Sequence, residues 1–321
     1  MPLKTLHKTI EGRNSIPILG HIYVKDGVAK GTDMDMEYST PCNENIKDGM
    51  YVRDGFKDDV HLLEKDMPLD DFPHFNEKWL KETILGTMEF SRDDMKVLEW
   101  VSKAMSTEET RYYLNGIYFD TKGFVATDGH RLHWAKRVVD WKNPDDVGGV
   151  IVPRKAIKLF IDGMKESKAN KATMKIRDKC VMFEFGKNKL VTKVIDGTFP
   201  NYPLVIPKHV GKEKHPFDPA EIIKHKTLIS SVCKASGQKR NHYILKIPKG
   251  ENKIEFGGMG HESHIPFSIK MPYDVGFNYK FLTEMNAGNM YFLSGSDPHI
   301  CRGKDKATGT QMWGVLMPVR I

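Results

Sequence analysis

Leu19, Ile22, Tyr23, Thr32 and Asp33 return at a constant spacing of 95 as Leu114, Ile117, Tyr118, Thr127 and Asp128. A second marker, Phe72-Pro73-His74-Phe75, returns at a spacing of 127 as Phe199-Pro200-Asn201-Tyr202. The two spacings differ by 32, so the first copy lacks about that many residues between its markers. From about residue 207 onward, Tyr243-Ile244-Leu245-Lys246-Ile247 and Lys253-Ile254-Glu255-Phe256-Gly257 repeat the strand, turn, strand cadence in a more diverged third copy. A period near 100 residues is too long for a solenoid. It indicates homologous domains in tandem, placed at 1–88, 89–206 and 207–321.

The size and composition suit that count. A chain of 321 residues holds two or three domains of ordinary size, each able to bury a core. Met1-Pro2-Leu3-Lys4 opens into charged sequence unlike a secretory leader, and runs such as Gly314 to Val319 fall short of the roughly 20 apolar residues a membrane helix requires. A soluble protein with no membrane partner is expected. Cys42, Cys180, Cys233 and Cys301 are scattered without paired spacing, which signals neither a disulfide framework nor a zinc site and fits a reducing, cytoplasmic setting. The net charge of +7 makes an anionic partner plausible, nucleic acid first.

The local pattern gives an α+β unit. Ser91 as N-cap, Asp93 and Asp94 in the first turn, and Met95, Leu98, Val101 and Met105 on one face predict a helix over 91–105. Ile157, Phe160, Ile161 and Met164 predict another over 154–166, with Lys155, Lys158 and Lys165 on its other face. Alternating runs at 173–177, 180–185 and 189–195 predict strands broken at Asp178-Lys179 and Gly186-Lys187-Asn188. A helix over 221–235 is expected to expose Lys224, Lys226 and Lys234.

Several stretches carry chemical side chains. Thr127-Asp128-Gly129-His130-Arg131 offers an acid, a base and a cation, but its partial copy at Thr32-Asp33 favours a β-turn whose Asp and Gly set the backbone. His261 and His264 lack the further ligands of a metal site, and no phosphate-binding loop or dinucleotide fingerprint is present. A nuclease using His130, His261 and His264 is therefore the weakest reading, and no cofactor or metal is expected. Tyr112-Tyr113 beside Arg111 reads equally as a base-stacking platform or as strand aromatics. Lysines on one helix face are ordinarily solvated surface, and only their recurrence in successive domains suggests a basic track.

Five ordered motifs carry a resemblance: 111–116 (RYYLNG), 125–132 (VATDGHRL), 150–155 (VIVPRK), 196–202 (DGTFPNY) and 315–321 (VLMPVRI). With 16–20 (IPILG) and 31–37 (GTDMDME), the chain resembles the bacterial DNA polymerase III beta sliding clamps along nearly its whole length. The resemblance implies three DNA-clamp domains per subunit and a head-to-tail homodimer closed into a ring, with helices lining the inner face and sheets outside. It further implies that such a ring holds a DNA polymerase on duplex DNA without reading sequence, has no catalysis of its own, and is opened by a clamp loader. Partners dock peptides in a cleft that, carried over position by position, comprises Leu114, Thr127, Gly129, His130, Arg131, Leu132, Pro200, Val205, Asn278, Phe281, Leu316, Met317, Pro318, Val319 and Arg320. The DNA-facing positions are Arg13, Tyr112 and Tyr113, joined on charge by Lys155 and Lys158.

Departures from the family pattern shape the remaining expectations. Leu204 stands where an arginine is common at the cleft edge, so peptide preference is expected to differ. The first domain lacks an opening strand and, by the deficit, a hairpin after Asp66, while Lys234-Ala235 fall where large aliphatics usually seal the subunit interface. A basic chain fits a divergent copy on a phage or mobile element better than a cell's main clamp. The rival reading is a DNA-bound adaptor that keeps the peptide cleft without stable ring closure.

Overall fold

The computed structural model describes residues 3–10, 16–57, 61–143, 148–207, 214–239, 242–286 and 288–321. Two compact units emerge, and the chain passes between them several times. The first takes 1–102, 108–124 and 138–198; the second takes 103–107, 125–137 and 199–321. The boundaries expected at 88/89 and 206/207 therefore do not coincide with these units.

In the first unit, ten strands form one sheet. Their order is Asp140–Trp141, Gly86–Ser91, Lys171–Ile176, Cys180–Phe185, Asn188–Lys193, Met36–Pro41, Val28–Thr32, His21–Lys25, Gly49–Phe56 and His61–Glu64. The expected strands at 173–177, 180–185 and 189–195 are all present, the second at its expected bounds and the others shifted by one or two residues. The first and second copies meet where Asn188–Lys193 pairs antiparallel with Met36–Pro41, Val191 opposite Glu37. The helix Arg154–Ser167 packs its apolar face beneath, with the Phe160 ring stacked 4.2 Å from Phe183 and edge-on to Phe90. Glu166 on that helix accepts from the backbone amides of Lys4 and Thr5, which satisfies two free N–H groups at the start of the helix Leu3–Thr9.

The helix expected over 91–105 is shorter, Asp94–Ser102. Ser91 still acts before it: the Asp94 amide donates to Ser91 Oγ, and the Asp94 carboxylate takes the Ser91 amide, a reciprocal cap.

The second unit holds Arg131–Lys136, Gln311–Leu316, His299–Lys304, Asn289–Tyr291 and His215–Pro216 side by side, and a four-stranded sheet ordered His261–Pro266, Lys253–Gly258, Ile244–Ile247, Val275–Asn278. Instead of one helix over 221–235 there are two, Ala220–Ile223 and Lys226–Ala235. The first is a single turn held by Asp218, whose carboxylate takes the Ala220 amide. Lys224, Lys226 and Lys234 are exposed as expected.

The repeats read from the sequence are repeats of backbone. Strands at 21–25, 28–32 and 36–41 recur at 116–120, 123–127 and 131–136 with the spacing of 95 unchanged. The hydrogen bonds of the turn recur with them. Thr32 Oγ1 donates to the Met36 carbonyl at 2.8 Å and Thr127 Oγ1 to the Arg131 carbonyl at 2.6 Å. The carboxylate of Asp33 takes the amides of Asp35 and Met36, and that of Asp128 those of His130 and Arg131. Met34 and Gly129 occupy the left-handed position at φ 73° and 88°, and Met259 does so in the third copy at φ 53°. There Gly257, Gly258 and Gly260 replace the Thr-Asp hydrogen bonds with conformational freedom.

His299 lies fully buried among Tyr273, Phe277 and Phe292, with neither ring nitrogen hydrogen-bonded among the described residues. Burial lowers its pKa to about 4, partly countered by Asp297. The folded state therefore binds fewer protons than the unfolded one between pH 6.5 and about 4, and stability present above pH 6.5 falls across that window. His299→Phe should remove about 3 kcal/mol of acid sensitivity, read as a flatter plot of urea midpoint against pH for the second unit.

Candidate functional site

The second unit gathers four of the segments expected at the cleft. The strand Arg131–Lys136 pairs with Gln311–Leu316, setting Leu132 opposite Val315 and Arg131 opposite Leu316. Beyond that strand the tail continues through two backbone bonds: the Met317 amide donates to the His130 carbonyl at 2.9 Å, and the Val319 amide to the Gly276 carbonyl at 2.8 Å. The tail thus lies between the 127–131 turn and the strand Val275–Asn278. A Cβ at Gly276 would sit 3.0 Å from the Val319 carbonyl oxygen and would push the exposed Ile321 side chain aside, so the tail approaches the strand closely here.

Asn278 caps the helix Tyr279–Glu284 by accepting from the Lys280 and Phe281 amides. That cap orients Phe281, which stacks on His130 with ring centroids 6.0 Å apart. Arg131 fixes the whole arrangement. Its guanidinium is almost wholly buried, lies 4.5 Å from the Phe281 ring centre, and is ion-paired to Asp128 at 3.0 Å and to Glu284. Its Nη2 donates to the Lys103 carbonyl. One planar cation with several donors therefore ties together turn, helix and the 103–107 segment, a task a lysine ammonium cannot do with the same geometry.

Pro200 and Val205 flank the short 3₁₀ turn Tyr202–Val205, which is fastened by Tyr202 packing edge-on against Trp134 at 5.5 Å. Outside this frame the surface is apolar and open: Leu204 is 75% exposed, Val205 52%, Ile321 61% and Met317 38%. Leu132 and Leu316 are buried and act as floor, while Thr127 and Gly129 serve the turn. Pro318, Val319 and Arg320 carry the tail along the surface. Leu114 belongs to the first unit, where it is buried at the end of the 3₁₀ segment Glu109–Leu114.

Asp128, Glu284 and Gly276 were absent from the sequence-derived site. Asp128 was legible as a turn residue, whereas Glu284 becomes visible only once the fold brings it to Arg131, 153 residues away.

The DNA-facing candidates are less uniform. Tyr112 is 53% exposed and meets Tyr113 edge-on at 5.8 Å. Lys158 is exposed, but Lys155 is ion-paired to Asp33 and Lys165 to Glu99. Part of the expected basic face is thereby neutralised. Arg13 lies outside the described residues. His261 and His264 are exposed on one strand, and among the described residues no cluster of three metal-ligating side chains occurs. No helix among them is long and apolar enough to cross a membrane.

Arg131→Ala would leave Asp128 and Glu284 facing a vacated, buried space. It should destabilise the second unit by about 3–5 kcal/mol, whereas His130→Ala, at an exposed position, should change stability by less than about 0.5 kcal/mol. Chemical denaturation of both variants checks the contrast.

The model of the DNA polymerase III beta subunit central domain matches residues 91–201. The beta sliding clamp of Caulobacter vibrioides strain NA1000 / CB15N is 29% identical over 333 aligned residues, covering 87% of this chain and 85% of that protein. That of Escherichia coli K12 is 24% identical, covering 100% and 97%. Among solved structures, the sliding clamp of Bartonella birtlesii bound to griselimycin is 25% identical with a TM-score of 0.77, covering 100% of this chain and 96% of that one. The Thermotoga maritima beta subunit, 18% identical, shares the fold with a TM-score of 0.78, covering 100% and 96%. The chain is thus similar to bacterial beta sliding clamps over nearly its whole length, and to the central domain of the DNA polymerase III beta subunit over residues 91–201.

Proposed function

We propose that this chain works as a DNA sliding clamp, with two copies joined head to tail in a ring around duplex DNA and a DNA polymerase tethered through the surface cleft. The observation that carries this reading is the Arg131-centred frame, which holds an apolar, exposed strip of Leu204, Val205 and Met317 beside a chain terminus. In this reading 1–88, 89–206 and 207–321 are three tandem clamp domains that exchange strands at their joints. The cleft residues form a deformable apolar dock for short peptides of polymerase, clamp loader and other replication or repair proteins. The protein is non-catalytic and cytoplasmic. Asp128, His130 and Arg131 shape a turn and a docking frame instead of moving protons.

Tyr112, Tyr113, Lys158 and the exposed Lys224, Lys226 and Lys234 are the groups proposed to meet DNA. Lys155 would join them by exchanging Asp33 for a phosphate, and Arg13 on the sequence match. Contacts of this kind neutralise phosphates without reading bases, so the ring can slide.

Two measurements test the reading. Removing Met317 to Ile321 cuts two backbone bonds outside the strand Gln311–Leu316, so the fold should survive while a clamp-binding peptide is lost in titration; Met317→Ala should weaken the peptide by roughly 1–3 kcal/mol. On DNA, a loaded protein should stay on a closed circle far longer than on a linear duplex, and linear binding should weaken steeply with salt, by about 0.9 log units per neutralised phosphate. Equal retention on both templates would favour an adaptor that does not encircle.

A further inference from the structure

Four neighbouring strands of the second unit, Arg131–Lys136, Gln311–Leu316, His299–Lys304 and Asn289–Tyr291, contain no aspartate or glutamate. Residues directly opposite each other in a sheet lie on the same face. His133, Gly314, Cys301 and Met290 form one such row and are buried, so that face is turned to the core. The adjacent row, Trp134, Trp313, Arg302 and Asn289, belongs to the other face. Lys136, Gln311 and Lys304 lie beside it on that face, all three exposed.

The positive charge of this outer face is carried on aromatic rings. The Arg302 guanidinium lies 3.7 Å from the Trp313 ring centre and 5.7 Å from that of Tyr291. The Lys136 ammonium lies 4.3 Å from Trp313 and 4.8 Å from Trp134. Rings attract cations through their negative faces but do not neutralise them. Among the described residues Lys136, Arg302 and Lys304 make no ion pair, and Arg302 Nε meets no acceptor. The carboxylate that follows Lys304, that of Asp305, is engaged in its own turn, where it takes the amides of Ala307 and Thr308 and the Thr308 hydroxyl. The patch continues the proposed cleft. Leu132 lies two residues from Trp134 on the same face, and Tyr202, packed edge-on against Trp134, opens the turn that carries the exposed Leu204 and Val205.

We infer that this face is an acidic-peptide subsite, where carboxylates flanking the apolar anchors of a docked peptide lie along Lys136, Arg302 and Lys304. The inference rests on the clamp reading, and it adds a chemical preference in the partner: acidic residues beside the apolar segment. Carboxylates are favoured over stacked nucleic-acid bases because the indole faces are already covered. Trp134 is 8% exposed, and cations sit against both tryptophans. What reaches solvent is the charge, and a planar guanidinium offers paired donors that match a carboxylate. Rings fixed by the sheet also hold Arg302 and Lys136 in place beforehand, which lowers the entropy lost when a partner arrives.

Titration of the full chain with synthetic peptides, at low and constant salt, tests this. One peptide is an apolar clamp-binding core, and the others carry four glutamates or four glutamines appended at its N- or its C-terminus. Glutamates at one of the two ends should tighten binding about three- to tenfold, and glutamines at the same end should add nothing. The gain should disappear in the double variant Lys136→Gln/Lys304→Gln, at two exposed positions outside the cleft, and in Arg302→Gln, while the unextended core binds every variant alike. Equal affinity for the glutamate and glutamine peptides, or a gain that survives in the variants, would overturn the subsite and leave the clamp reading standing. An oligothymidylate that binds the wild type and is lost from the variants, with no gain from glutamates, would assign the face to nucleic acid and overturn the subsite too. Failure of the wild-type protein to bind any of the peptides would remove the clamp reading as well.

Discussion

A β-strand at the end of a sheet carries a row of unsatisfied N–H and C=O groups, and this protein is organised by how those edges are satisfied. Glu37 opposite Val191 and Leu132 opposite Val315 mark two such edges closed within the chain. In each case the strand that closes the edge comes from the following copy of the repeat. The copies are therefore joined by continuous sheet in addition to side-chain packing. A repeat built this way always leaves one acceptor edge at one end and one donor strand at the other.

The turn that precedes each acceptor strand shows how few residues are needed to maintain the arrangement. In the first two copies a Thr hydroxyl and an Asp carboxylate close the turn through matching hydrogen bonds. In the second copy the same turn acquires a further use: its Asp128 also holds Arg131, whose guanidinium braces the proposed docking surface through Glu284 and Phe281. The proposed binding surface and the fold thus share one ion-pair network. Its burial makes it costly to break, and this separates it from the exposed apolar residues that would meet a peptide.

Much of this was legible in the sequence because repetition is visible without coordinates. The spacing of 95 read from five recurring residues is also the spacing of three strands in two copies, and Ile157, Phe160, Ile161 and Met164 located the helix Arg154–Ser167 almost to its ends. The deficit of 32 suggests a lost hairpin after Asp66; strand pairing puts the loss earlier, most of it between Val52 and His61 and the rest before Val52, because a gap in a spacing says how much is missing and not where. The helix over 221–235 was drawn as one piece because its apolar period continues across His225, where the backbone departs from helical geometry. Lys155 looked like a phosphate ligand because its partner, Asp33, is 122 residues away in sequence. Glu284 was invisible for the same reason.

The account's central claim is a ring of this chain around DNA, and retention on circular against linear DNA addresses it most directly. Protein loaded on a nicked circle should stay with the DNA through gel filtration at high salt and be released when the circle is cut to a linear duplex. Loss from the intact circle as fast as from the linear duplex would contradict the account.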